Sequence, residues 1–284
     1  MNVVLKIAES IVILVLSSLE IPLTFTFPQS IWRIIPHPLP TENRWAIELR
    51  DAETRTASWA ILDLDEGVVC WQTTPEATDW WTTLTAFAGD NLLLHNYRYP
   101  DIPEPTDLLA VAVANGQLRW ATPGVVFVRD VPEEKSLLVA HKRGEGVEYK
   151  FLDPESGLIL GRADSSLTQP DGLPTGTSPV RYLPGEPYFE LVTTFMEKIV
   201  GKHPWEAVDY VESNPYIAFS YYLYEQEKMV QRLLIIDSHK AIVYHETLSR
   251  DRQGIGRDTI YLKSGILLCL CNNNQLISIK LRPQ

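Results

Sequence analysis

Cysteine is scarce in this chain: Cys70, Cys269 and Cys271 are the three in 284 residues, an odd number too thinly spread for a disulfide framework and one that fits a reducing compartment. Cys269 and Cys271 stand at i and i+2, so a strand places both thiols on one face, where a lone pair cannot complete a tetrahedral metal site. They read as small apolar side chains on a core strand. The six histidines are scattered without i, i+4 spacing, and no metal is expected. Basic residues are also in short supply. Lys and Arg number 25 against 36 acidic residues, the net charge is −11, and no run of cations is present to track a phosphate backbone, which argues against nucleic acid as a partner. Long apolar runs are missing as well. The segment "IVILVLSSL" after Lys6 is too short to cross a bilayer. As a signal peptide it is weakened by Glu9, by a single-lysine basic region and by a Val15-Leu16-Ser17 pattern where a small-x-small cleavage site belongs. Residues 1–20 are therefore read as an N-terminal extension of a cytoplasmic chain. The alternative, a cleaved signal, would make the protein periplasmic or secreted.

What the chain has is apolar alternation. A hydrophobic content of 45% with 8 Trp suffices for a large core, and residues 21–284 are expected to form a single domain. The stretch "ILDLDEGVVCW" returns in altered form as "AVAVANGQLRW", then as "FLDPESGLIL" and "IIDSHKAIVY". Aligned four residues before the turn glycine, these give Asp63, Ala112, Asp153 and Asp237, at a period of about 42 residues, with the last interval spanning two periods. The first interval is lengthened by the Pro-rich insertion "YPDIPEPTD". Each copy combines strands of period two with a short turn of Asp, Glu, Asn, Gly or Ser, the chemistry of hairpins.

Such a period, with about four short antiparallel strands per unit, predicts an all-β fold, a β-propeller of about six four-stranded blades, with five to seven compatible. The last copy, "GILLCLC" to "QLISIKL", lacks its outermost strand, and "LTFTFPQSIWRII" has strand character but no blade of its own. The N-terminal strand is therefore expected to complete the last blade and close the ring. One blade is expected to be atypical. Residues 166–187 are Pro/Gly-rich, and "YFELVTTFMEKIVGKHP" reads as a helix with Phe189, Val192, Phe195, Met196 and Val200 on one face, giving a helical insertion near 166–207.

The unit x-x-Asp-x-x-x-Gly-x-x-x-Trp, seen in Asp63/Gly67/Trp71 and in part in Gly116/Trp120, resembles the repeat of quinoprotein-type β-propellers. The resemblance implies that the Trp packs between neighbouring blades. Copy two has Ala112 for the Asp, copy three has Gly161 at the Trp position, and the fourth has Ala241 and His245 for Gly and Trp. The quinoprotein dehydrogenases carry adjacent cysteines and a calcium ion beside the cofactor. Neither set can be matched here, so no cofactor is expected. The chain as a whole also resembles an uncharacterised group of bacterial proteins, through Ile31-Trp32, Glu48 to Asp51 and Ser220 to Tyr222.

Several strands stop being apolar in comparable places. Glu48, Arg50, His95, Tyr97, His141, Arg143, Tyr221 and Tyr222 would form a ring of acid/base and anion-binding groups if their strand ends met at one channel mouth. The bland alternative is a set of solvated strand ends, with Glu48 and Arg50 as a same-face ion pair. Trp80 and Trp81 are adjacent, either as a stacking platform for a sugar or peptide or as one core and one edge-covering ring. No nucleophile or metal cluster is identifiable. The chain is accordingly read as a monomeric, non-enzymatic scaffold for a protein or peptide partner, with the helix near 188–202 as a docking element. The alternative is a small-molecule enzyme or sensor built on the ring.

Overall fold

In the computed structural model, which describes residues 22–99, 101, 104–144, 146–168 and 178–281, the alternating segments form five antiparallel sheets. The first holds β2 (Ser30–Pro36), β3 (Arg44–Asp51), β4 (Thr56–Asp63) and β5 (Val68–Thr73) in that order. The second repeats the meander with β6 (Thr83–Ala88), β7 (Asn91–Asn96), β8 (Asp107–Ala112) and β9 (Leu118–Pro123). The third has β10 (Val125–Val131), β11 (Ser136–Arg143), β12 (Gly146–Leu152) and β13 (Ile159–Arg162). Consecutive four-stranded meanders of this kind are propeller blades, and the fold is an all-β propeller. These three sheets lie in one compact unit within residues 27–175, and the other described residues form a second.

The second unit begins its sheet with β14 (Val180–Tyr182), followed by helix α1 (Phe189–Val200), then β15 (Trp205–Ser213), β16 (Tyr216–Glu225), β17 (Lys228–Ile236) and β18 (Ile242–Arg252). Its fifth strand makes it the atypical blade. The last sheet contains β19 (Ile260–Lys263), β20 (Ile266–Cys271) and β21 (Gln275–Lys280), with β1 (Leu23–Thr26) as its fourth strand. Leu23 pairs with Ser278 and Thr26 with Gln275, so Leu23–Thr26 completes the last sheet, whereas the rest of the segment expected to join it, Ser30–Pro36, is instead the first strand of the first sheet, paired with β3. The expectation centred on six blades, and five sheets are found among the described residues. The double interval between Asp153 and Asp237 holds β14 and α1 where a further meander was expected.

Period-two alternation sorts side chains to two faces, and both are buried in the middle strands. In β7, Leu92 and Leu94 join Trp59 and Ile61 of the first sheet, whereas Leu93 joins Val125, Leu137 and Val139 of the third. In the other unit Leu233 and Ile235 pack with Leu267, Cys269 and Ile279. Cys269 and Cys271 are thus core side chains, and burial raises both thiols, Cys271 to about 12. Helix α1 lays Phe189 and Met196 on Val208, Phe219 and Leu234. It ends at Gly201, whose left-handed backbone returns its N–H to Glu197 O at 2.8 Å.

The repeat's Asp and Trp have separate structural tasks. Asp63, Asp153 and Asp237 each accept backbone N–H groups of their own turn, from Asp65 and Glu66, from Glu155, and from His239 and Ala241. The Trp reaches the next sheet. Trp71 Nε1 donates to Val113 O at 2.6 Å and Trp120 Nε1 to Pro154 O at 2.9 Å. A Cβ at Gly116 would lie 3.0 Å from the Trp71 ring, and one at Gly157 would lie 2.6 Å from the Trp120 ring. Both glycines have φ above +70°, so each provides the turn and also the seat for the preceding sheet's indole.

Candidate functional site

Glu48 and Arg50 point the same way from β3, as i, i+2 residues on a strand must. Both are buried, at 0% and 7% exposure. Arg50 Nε donates to Glu48 Oε1 at 2.7 Å, and its Nη atoms donate to Trp80 O at 2.5 Å and Thr82 O at 2.9 Å. The second carboxylate oxygen of Glu48 accepts the N–H of Leu84 at 2.7 Å. The guanidinium also lies over the rings of Trp32 and Trp80, 5.3 and 4.9 Å from their centroids. The pair therefore fastens the first sheet to the start of the second.

His95 does the same one sheet later. Its Nε2 accepts the N–H of Phe127 at 3.0 Å, which fixes the proton on Nδ1. Burial, then the charge of Arg33, lowers its pKa to about 4, so the ring is neutral. Leu84 and Phe127 each sit just before a register shift in the first strand of their sheet. Both sit on edge strands, where an N–H facing away from the sheet needs a partner from outside it. The register explains the match. Glu48 is four residues beyond Arg44, which pairs with Asp63, and His95 is four beyond Asn91, which pairs with Ala112. The corresponding residue of the third sheet is Ala140, and of the fourth, Ser220. Ser220 Oγ again reaches the next sheet, 3.0 Å from Thr259 Oγ1.

The remaining candidates occupy other register positions. Tyr97 is half-buried beyond the end of β7, and His141 is half-buried on β11 with its Nδ1 unpartnered. Arg143 is the last residue of β11, its backbone opposite Gly146. Tyr221 and Tyr222 are fully buried in the other unit. The Tyr221 hydroxyl lies 2.7 Å from His245 Nε2, and burial pushes its pKa up to about 12. The Tyr222 hydroxyl accepts the N–H of Gly256 at 2.8 Å. Of the aromatic pair, Trp80 is half-buried against Arg50 and Trp81 is 43% exposed. Among the described residues no group of three or more His, Cys, Asp or Glu side chains could hold a metal ion, and no helix is long and apolar enough to cross a membrane.

Sequence reasoning missed a polar chain in the second unit. Arg181 grips Asp209 through two bonds of 2.6 Å and donates to Gly256 O at 2.5 Å. Thr259 donates to Asp209 Oδ2, Ser220 bridges Thr259 and Gln231, and Arg252 donates to Gln231 Oε1. Asp209, Ser220, Gln231 and Thr259 are all buried. Asp209 inside the apolar run "AVDYV" was the available signal. Each group has a partner, so the chain pins the 253–258 loop and leaves no free acid or base.

The insertion differs. Leu191, Phe195 and Lys198 fall on one stripe of α1 at helical spacing, and Tyr188 precedes the helix with a left-handed backbone. Tyr188 and Leu191 are each 68% exposed. Beside this stripe a groove of about 450 Å³ runs between α1 and the turn after Asp237, lined by Phe195, Lys198, Ile199, Lys240 and Ile242. Lys240 Nζ lies 5.8 Å from the Phe195 centroid.

Residues 40–120 match a family profile described as Domain of unknown function (DUF4905), and no curated protein matches. Solved structures give distant likenesses. BamB from Moraxella catarrhalis is 8% identical with a TM-score of 0.31, covering 84% of this chain and 81% of its own. The Dos1 propeller is 10% identical at 0.30, covering 95% and 97%. The Cps50 (Swd1) β-propeller domain of Myceliophteria thermophila is 9% identical at 0.28, covering 93% and 99%.

Proposed function

We propose that this propeller is a non-enzymatic binding scaffold, with the α1 insertion as the element that docks a protein or peptide partner. The observation that carries the reading is the exposure of Leu191 on a helix whose other face is buried, with Tyr188 exposed just before its first turn. Apolar side chains of that size, aligned and open beside a groove, are the usual material of helix-face recognition. The groups best suited to acid/base work favour the same reading. Glu48, Arg50 and His95 direct their polar atoms at backbone groups of the next sheet, which leaves little for a substrate. The enzyme or sensor alternative, built on these residues with Tyr97, His141, Arg143, Tyr221 and Tyr222, would need them open to a common cavity.

The test compares what co-purifies with the full chain and with its Leu191→Asp variant from the source cells after mild cross-linking. A protein held by the wild type and lost from the variant supports docking at α1. Equal recovery on both, or none on either, removes α1 as the docking element. Turnover of any compound in a metabolite screen would remove the non-enzymatic reading.

A further inference from the structure

We infer that the groove beside α1 receives an acidic amphipathic peptide segment, one that presents apolar side chains to Phe195, Ile199 and Ile242 and carboxylates to Lys198 and Lys240. This rests on the reading of α1 as the docking element and adds the chemistry of its occupant.

The groove is apolar at its floor and cationic at its lip. Lys198 and Lys240 are the charged groups that line it, both are exposed, and neither has an ion-pair partner among the described residues. Any partner seated on Phe195, Ile199 and Ile242 brings its own surface over both ammonium groups and strips water from them. A neutral or basic partner would leave that desolvation uncompensated, whereas carboxylates facing the two lysines offset it. The Lys240 ammonium already lies over the Phe195 ring, 5.8 Å from its centroid. Leu191, four residues before Phe195, extends the apolar contact along the helix, the spacing that anchors of a second helix would meet.

An anionic membrane surface shares some of this chemistry and is disfavoured on two counts. The groove is concave and of a size for one or two side chains. A protein of net charge −11 is also repelled by an anionic lipid surface when only two lysines face it.

The experiment selects a display library of random peptides on the full-length protein, with counter-selection on a Lys198→Glu/Lys240→Glu double variant. Both positions are exposed, and circular dichroism with a thermal melt checks that the variant folds. The expected result is enrichment of peptides pairing Asp or Glu with apolar residues. They should bind the double variant about ten-fold or more weakly and bind the wild type less well as salt rises. Enrichment of neutral or basic peptides, or binding that survives the double substitution, overturns the acidic occupant. If such peptides are still lost with Leu191→Asp, docking at α1 stands while its proposed chemistry falls. Failure to enrich any peptide also overturns the inference. So does sedimentation with phosphatidylserine vesicles that the double variant abolishes, because it would assign the groove to a membrane.

Discussion

The imidazole of His95 accepts the backbone N–H of Phe127 at 3.0 Å, joining the second sheet to the third. The bond needs an unprotonated Nε2. Its pKa is lowered from 6.5 to about 4 in the folded protein, chiefly by burial, so between these values the unfolded chain takes up a proton that the folded one refuses. The contribution of this histidine to stability is complete above pH 6.5 and is lost as pH falls toward 4. Urea titrations across that window should show the wild type losing up to about 3 kcal/mol more than His95→Gln. Parallel pH profiles for the two proteins would refute this account of the bond.

Glu48 and Arg50 are buried together, and each also satisfies backbone groups at the start of the second sheet. Glu48→Ala should leave an unpaired buried guanidinium and cost about 3–5 kcal/mol. The Glu48→Leu/Arg50→Leu double variant should lose less than the two single losses combined. A denaturation-based double-mutant cycle measures this, and strict additivity would contradict the coupling.

Trp71 and Trp120 rest on Gly116 and Gly157 of the sheets that follow them. Alanine at either glycine meets an indole as well as a strained φ, so about 2–4 kcal/mol should be lost. Gly89→Ala has a positive φ but no atom within 4 Å of the added Cβ, and about 1 kcal/mol is expected. Melting temperatures of the three variants should separate backbone strain from lost docking.

Cys70 is exposed on β5 while Cys269 and Cys271 are buried. Titration with a thiol reagent should modify one group in the native state and all three after unfolding. Its rate is expected to be modest at neutral pH, because burial and the nearby Asp63 raise the Cys70 pKa. Rapid modification of a second thiol in the native protein would show that β20 opens.

Much of the architecture was legible because local rules sufficed. Turn residues such as Asp63 and Asp153 bind their own backbone, and the helix over Phe189–Val200 carries its apolar face at regular spacing. The first strands of the second and third sheets were harder to see. They are edge strands, and their register shifts between Leu84 and Ala86 and between Phe127 and Arg129 interrupt the alternation. The polar candidates were harder still. Glu48 and His95 looked like strand ends approaching solvent, since nothing local tells that Leu84 and Phe127, more than thirty positions away, supply their partners. The candidates also span several register positions, because unequal loops hide which residue of β3 corresponds to which of β7.

The pairing of Leu23–Thr26 with Gln275–Lys280 has a consequence for biosynthesis. A ribosome produces that four-residue strand long before its partner, Gln275–Lys280. The three sheets of residues 27–175 draw every strand from that interval and can assemble as they emerge, whereas the final sheet must wait with an open edge. Appending a bulky fusion directly before Leu23 should therefore slow assembly of that sheet and leave the three sheets of residues 27–175 unchanged.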